Sequence, residues 1–317
     1  MTPPPSESLG AIQKWTAADI PDLTGRCVIV TGANSGLGWW TTRALAAHGA
    51  RVTMAVRNLS KGQTSAADMP GDVEVRLLDL ADLSSVRAFA DAWSVDHPEG
   101  LDLLINNAGI MAVPRRVTAD GFETQFATNH LGHFALTGLL LPALVARPFS
   151  RVVTVSSQAH RFGRIAFDDL MGEKRYNAWR AYGQSKLANL LFTAELQRRI
   201  DAAGMSITAC AAHPGFAATN LIFDGYPGVE RRSVTDRIKA IGSRTFAQSA
   251  EMGALPTLFA ATFPGLPGDA YVGPDGFGQQ RGYPRLVDRS ASAANAEDAA
   301  RLWSVSESLT SVRYPFD

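Results

Sequence analysis

Two side chains in the run AYGQSKLANLLF, residues 181–192, could move a proton between them. Tyr182 stands four positions before Lys186, and on a helix residues i and i+4 share a face. An ammonium beside a phenol favours phenolate and lowers the tyrosine's proton affinity toward working pH. Taken alone, the pair is also what ordinary packing produces: an aromatic ring beside a long aliphatic stem. Its meaning depends on what the rest of the chain sets around it.

The elements that would position the pair can be read along the chain. RCVIVT (26–31), RVTMAV (51–56), DVEVRLLDL (72–80), LDLLIN (101–106), RVVTVSS (151–157), SITACAA (206–212) and AYVG (270–273) read as seven strands. Helical stretches fall between them. WWTTRALAAHG ends at Gly49, a plausible C-terminal cap. LSSVRAFADAWSV offers Ser84 or Ser85 as an N-cap and a face of Val86, Phe89, Ala90 and Trp93. A long helix is expected over roughly 121–145. This alternation predicts a doubly wound parallel α/β sheet of seven strands with helices on both faces. Residues 1–24 read as a lead-in and 25–317 as one domain, with a substrate loop inserted at about 216–250.

Composition limits the function classes. Of 317 residues, 46% are apolar and 19% charged, which suits a large packed core. Thirty Lys plus Arg balance thirty Asp plus Glu, so neither nucleic acid nor an anionic membrane is the expected main partner. The start MTPPPSESLG lacks the pattern of a signal peptide, and the longest apolar run, LTGLLLPALVA, is interrupted by Gly138 and Pro142. A cytoplasmic location is the expectation. Cys27 and Cys210 sit in apolar runs and read as buried strand thiols in a reducing compartment. Two cysteines cannot hold zinc unaided, and His130 and His133 lack an acid at helical spacing, so no metal is expected.

The first strand runs directly into TGANSGLG (31–38), with Gly32, Gly36 and Gly38, and a helix follows. Glycines there let the backbone approach a pyrophosphate, while the helix start offers N–H groups and positive potential. After the second strand, where an acid would select a free ribose hydroxyl, the chain reads RNLSK. Arg57, with Lys61 nearby, suits a 2′-phosphate, so NADP(H) is expected over NAD(H).

The spacing G-x-x-x-G-x-G resembles the short-chain dehydrogenase/reductase superfamily, in its compact single-domain branch. NNAG (106–109), Asn129 in ATNHLGHF, Ser157 in VVTVSSQAH, the Tyr182–Lys186 pair and HPGFAAT (213–219) follow in the order that superfamily shows, over residues 25–220. The resemblance narrows to the retinol dehydrogenase and WW-domain oxidoreductase group, through the stretch from Arg161 to Leu196 and the late AARLWSVSESL. Light-dependent protochlorophyllide reductases share the glycine turn, but where they usually carry a cysteine this chain reads Leu187, Ala188.

The resemblance implies a hydride transfer between nicotinamide and a carbonyl or alcohol. Tyr182 would give or take the proton, Lys186 would depress the tyrosine pKa and bind the ribose, Ser157 would stabilise the carbonyl oxygen, and Asn129 would hold a water. Ser157 is preferred over its neighbour Ser156. Implied cofactor contacts are Gly32, Asn34, Ser35, Gly36, Leu37 and Gly38 in the turn, then Arg57, Asp79 and Leu80. Asn106, Ala108 and Gly109 follow, then Tyr182, Lys186, Pro214, Gly215 and Thr219. By their apolar character Phe162, Phe216, Leu221, Ile222 and Phe223 suggest either a pocket for a lipophilic carbonyl or anchors for their own loops. His160 and His213 are near the site in sequence order without an assigned role, and Trp39 and Trp40 read as packing. Two further readings stay open: reduction of a C=C bond, and a non-catalytic NADP(H) sensor. Helices like 121–145 and 181–200 imply a possible homo-oligomer.

Overall fold

The computed structural model describes residues 14–216 and 248–316. Among them the sheet has eight strands in the order β3-β2-β1-β4-β5-β6-β7-β8. They are β1 (Cys27–Thr31), β2 (Arg51–Val56), β3 (Val73–Leu77), β4 (Leu103–Asn106), β5 (Ser150–Val155), β6 (Ile207–Ala212), β7 (Tyr271–Pro274) and β8 (Pro284–Leu286). The first seven run parallel. The seven-strand expectation is corrected by β8, an antiparallel edge strand pairing Val272 with Leu286 and Pro274 with Pro284. Its three residues start at a proline, which donates no ladder bond and is tolerated at a sheet edge.

Burial on both faces explains the β-branched runs. On one face Val28, Val30, Val52 and Met54 pack with Leu45 of α1 (Gly36–Ala47) and with Leu258 and Phe259 of a late helix, Ala250–Thr262. On the other face Ile29, Leu104 and Val152 meet Val86, Phe89 and Trp93 of α3 (Leu83–Asp96), Phe134, and Phe192 and Leu196 of a long helix, Ala178–Ala202. Between them α2 (Leu59–Ala66) follows β2. The end of the lead-in joins the first core: Trp15, Ile20 and Leu23 are buried, and Trp15 meets the Phe259 ring edge-on at 5.4 Å.

Two helix expectations are corrected. The N-cap of α3 is Asp82, whose carboxylate accepts from the Ser84 and Ser85 N–H groups, so those serines are inside the helix. Asp82 Oδ1 alone accepts from both orphan donors, at 2.8 and 3.3 Å. The expected single helix over 121–145 is broken instead. A short turn α4 (Thr124–Phe126), capped by Glu123, leads into a π-helical segment (Ala127–Leu131), then α5 (Gly132–Leu139) and α6 (Leu141–Val145). Pro142 near the start of α6 cannot continue the α5 ladder. At Gly132 a Cβ would lie 2.3 Å from the Leu80 carbonyl oxygen, so the break lets this segment touch the end of β3. A π-turn of this kind re-aims side chains, here Asn129.

We label the remaining helices α7 (Ala178–Ala202), α8 (Ala250–Thr262) and α9 (Ala296–Thr310). The order of α7 follows from its cap: Asn177 accepts from the Trp179 and Arg180 N–H groups. No described helix is long and apolar enough to cross a membrane.

Candidate active site

The strand order reverses between β1 and β4, and in such sheets ligands bind at the carboxyl ends beside that switch. The glycine turn lies there. Gly32 has φ +64° and approaches Ala108 so closely that a Cβ would sit 2.9 Å from its Cα. A Cβ on Gly38 would meet the Gly32 carbonyl oxygen at 2.4 Å and Asn107 Nδ2 at 2.6 Å. The turn is bolted to NNAG through Thr31, whose Oγ1 accepts from the Asn107 and Ala108 N–H groups, both at 2.9 Å, while Asn107 Nδ2 donates to the Thr31 carbonyl at 2.7 Å. Asn106 is fully buried and donates its amide to Thr137 Oγ1 at 3.0 Å, so it braces β4 on α5 instead of presenting its side chain at the strand ends.

Ser35 stands at the N-cap of α1 without using its side chain, which leaves the helix start to be completed by another acceptor. Leu37 is buried and Asn34 offers its carbonyl to Ser65 Oγ at 2.8 Å. Trp39 Nε1 donates to the Ser65 carbonyl at 3.1 Å, so α2 is tied to the glycine turn at two points. That fixes the loop carrying the exposed Arg57, which follows β2. Trp39 and Trp40 meet edge-on at 5.0 Å. Asp79 is half-buried and closes its own turn by accepting from the Ala81 N–H, and Leu80 beside it is buried.

The proton-bearing group gathers at the end of β5. Ser156 is buried and donates to the Lys186 carbonyl at 2.8 Å, so it fastens β5 to α7. Ser157 is half-buried at the start of a 3-10 turn (Gln158–Phe162), where its Oγ accepts from the Ala159 N–H at 3.2 Å. Its hydrogen bonding also bears on the Tyr182 phenol, pulling its pKa down. Burial wins, however, and pushes that phenol up to about 12. The expected depression by Lys186 is thus not what the geometry gives. The ammonium lies over the Tyr182 ring, 5.8 Å from its centre, and donates to the Val155 carbonyl at 3.0 Å rather than to the phenol. Lys186 itself is buried, with no carboxylate paired to it among the described residues, and desolvation brings it down to about 8.

Asn129 is fully buried. Its Nδ2 donates to the Ile110 carbonyl and to Ser185 Oγ, both at 2.9 Å, and its Oδ1 accepts from the Ile110 N–H at 2.8 Å. Both amide hydrogens are used within the protein, so Asn129 positions the NNAG loop against α7, and a water held by it would donate to one of its oxygens. A Cβ on Gly109 would lie 3.3 Å from Asn129 Oδ1 and 3.4 Å from Lys186 Nζ. Only a glycine leaves that approach open beside the lysine.

Several supporting residues carried little signal in the sequence. His133 is buried and links Thr31 Oγ1, 2.8 Å from its Nε2, to the Asn129 carbonyl, 3.1 Å from its Nδ1. The one cue was its place four residues after Asn129. His130 turns elsewhere, to Ser306 Oγ at 2.9 Å, so the H-x-x-H pair does not converge. His160 Nδ1 is 2.7 Å from the Ser157 carbonyl and its Nε2 accepts from the Ser290 N–H, anchoring the serine from behind. His213 Nδ1 accepts from the Gly215 N–H at 3.2 Å while Nε2 lies 3.1 Å from Gln279 Oε1. Burial lowers His213 to about 4. This histidine shapes the turn of Pro214 and Gly215, where φ of Gly215 is +65°. Phe162 and Phe216 are both exposed, and Phe162 lies against Gly183 of α7. Thr219, Leu221, Ile222, Phe223 and most of the expected substrate loop lie outside the described residues.

A doubly wound sheet with this glycine turn and a buried Tyr–Lys pair defines a dinucleotide-binding oxidoreductase. The chain belongs to the short chain dehydrogenase family, whose model matches residues 26–224. It is 41% identical to human retinol dehydrogenase 12 over 297 residues, 92% of this chain and 88% of that one. Human retinol dehydrogenase 13 is 40% identical, covering 92% and 87%. The fold matches a crystal structure of an uncharacterized protein from Mycobacterium paratuberculosis at TM-score 0.81 and 53% identity, over 96% of this chain and all of that one. It is an oxidoreductase of the nicotinamide-dependent kind, close to the retinol dehydrogenase group.

Proposed function

We propose that this protein is an NADP(H)-dependent reductase or dehydrogenase that interconverts a carbonyl and an alcohol on a lipophilic small molecule. The observation that carries the reading is the grouping of buried Tyr182 and Lys186 with half-buried Ser157 at the end of β5, beside a glycine approach that a side chain would fill. The cradle fits a dinucleotide: Gly32 and Gly38 let the turn pack tightly on Ala108 and Asn107, the α1 start offers N–H groups for a phosphate, and Gly109 leaves room beside Lys186. When bound, the nicotinamide supplies the hydride exchange.

The chain's own groups then manage one proton. A phenol raised to about 12 stays protonated at neutral pH, which suits Tyr182 as proton donor to a carbonyl oxygen. Ser157 holds that oxygen with its hydroxyl and stabilises the charge that develops there. Lys186, still mostly an ammonium below about 8, offsets the phenolate that donation leaves and reaches the ribose side of the cleft. Asn129 keeps the Ile110 backbone and Ser185 in register with both.

Arg57 and Lys61 supply the preference for a 2′-phosphate, since the segment 57–61 carries no acid to repel it. The lipophilic substrate class rests on the retinol dehydrogenase relatives and on the exposed Phe162 and Phe216. The test is a panel of long-chain aldehydes, ketones, enones and alcohols assayed with NADPH or NADP and with NADH or NAD. The expected outcome is turnover of aldehydes or ketones with NADPH well above NADH. Turnover confined to the C=C bond of enones, or none at all, would contradict it.

A further inference from the structure

The opposite end of the sheet holds a second group of ligand-type atoms. Cys27 begins β1, and His97 and Glu99 lie in the turn between α3 and β4. Among the described residues, Cys27 Sγ, a His97 ring nitrogen and a Glu99 oxygen all lie within 4.8 Å of one another. Glu99 Oε1 is 3.4 Å from the thiol sulfur and 3.6 Å from His97 Nδ1. Ligands of a tetrahedral zinc stand about 3.3–3.8 Å apart, given bond lengths of about 2.0–2.3 Å.

His97 supplies the second observation. Its side chain is only 8% exposed, and Nδ1 has no hydrogen-bond partner. The other ring nitrogen, Nε2, lies 2.9 Å from Glu74 Oε1, with Arg76 Nη2 further off at 3.4 Å. With its proton on Nε2 and given to Glu74, the ring turns a bare Nδ1 lone pair toward Glu99 and Cys27. A carboxylate behind a metal-binding imidazole is the arrangement that fixes such a tautomer. A cavity of about 400 Å³, lined by Cys27, Glu99, Arg51, Asp72 and Arg147, gives access and room for a water as fourth ligand.

The surrounding charges accommodate a cation. The ion pairs here join Asp72, Glu74, Asp96, Glu99 and Asp102 to Arg26, Arg51, Arg76 and Arg147, five carboxylates against four guanidiniums. Arg51 holds Glu99 Oε1 at 2.7 Å, so a metal would displace that contact and leave Arg51 its bond to Asp72 at 3.2 Å.

We propose that Cys27, His97 and Glu99 form a binding site for a thiophilic divalent cation of the zinc type, at the amino ends of the strands and apart from the catalytic cleft. Burial and the neighbouring Glu99 push the Cys27 thiol up to about 11, so binding releases the thiol proton to solvent as the metal–sulfur bond forms.

The test titrates the full chain with Co²⁺ and then with Zn²⁺. The expected result is one Co²⁺ per chain with a thiolate-to-cobalt charge-transfer band, displaced by Zn²⁺. Cys27→Ser should abolish the band and weaken Zn²⁺ binding at least about tenfold, and Glu74→Gln, which removes no ligand, should weaken it about tenfold or more. Thermal melts confirm that each variant is folded. A wild-type protein that gives no thiolate band would overturn the proposal. Zn²⁺ affinity unchanged in both Cys27→Ser and Glu99→Gln would overturn it equally.

Discussion

Lys186 and Asp102 are both buried charges, at opposite ends of one sheet, and they are treated in opposite ways. Asp102, which leads into β4, is met by Arg26 at 2.7 Å, by Arg147 at 3.0 Å and by the Cys27 N–H at 2.9 Å. Lys186, beyond the carboxyl ends, has a carbonyl oxygen and the face of a phenol ring, and burial lowers its proton affinity. The amino end pairs its charges and closes its backbone. The carboxyl end keeps an unpaired ammonium, a raised phenol and glycines at strained approaches. A buried ammonium and a buried phenol with no paired carboxylate among the described residues mark the end that does chemistry, and the ion pairs around Asp102 mark the end that holds the sheet.

The largest effect that separates the ends should come from Asp102→Ala. It strands two guanidiniums and a buried N–H, and we expect a loss of about 3 kcal/mol, the lower part of the range for breaking a buried pair because both arginines reach solvent. Denaturant unfolding measures it, and the KM for cofactor should hold in the folded fraction. Lys186→Met should do the reverse. A lysine lowered from 10.5 to about 8 costs the folded state stability below about 8, and that cost fades as pH rises toward 10.5, where the unfolded lysine also loses its proton. The variant should therefore be more stable than the parent by up to about 3 kcal/mol at pH 7, with the gap shrinking at pH 10, and inactive throughout. Equal stability at both pH values would break the contrast. Arg57→Ala should be smallest: about a ten- to hundredfold loss in kcat/KM with NADPH, little change with NADH, and no shift in Tm.

Much of the carboxyl end was legible because its chemistry is encoded in short spacings. The glycine turn, the parallel strands and the Tyr182–Lys186 face each depend on neighbours within a few residues. What was hidden depends on distant contacts. The break at Gly132 answers to the Leu80 carbonyl, more than fifty positions earlier in the chain. β8 exists because β7 offers an open edge, and PRL alone carries no strand signal. The side-chain partners of Asn129 come from Ile110 and Ser185, a bracing role that no local pattern shows. Burial reversed the expected sign of the shift at Tyr182 for the same reason: desolvation is set by everything packed around the ring. The amino-end cluster was illegible altogether, since two strands, β2 and β3, and three helices, α1 to α3, lie between Cys27 in β1 and His97, and no local pattern reports their meeting.

The most direct measurement is on Tyr182→Phe, which removes one oxygen and leaves the ring beside Lys186. NADPH affinity and single-turnover reduction of the best aldehyde or ketone would be determined on the same preparation. Unchanged cofactor affinity with turnover reduced about a hundredfold to ten-thousandfold is the result predicted for a proton donor. Turnover equal to the parent's would contradict the account, because the proton would then come from somewhere other than Tyr182.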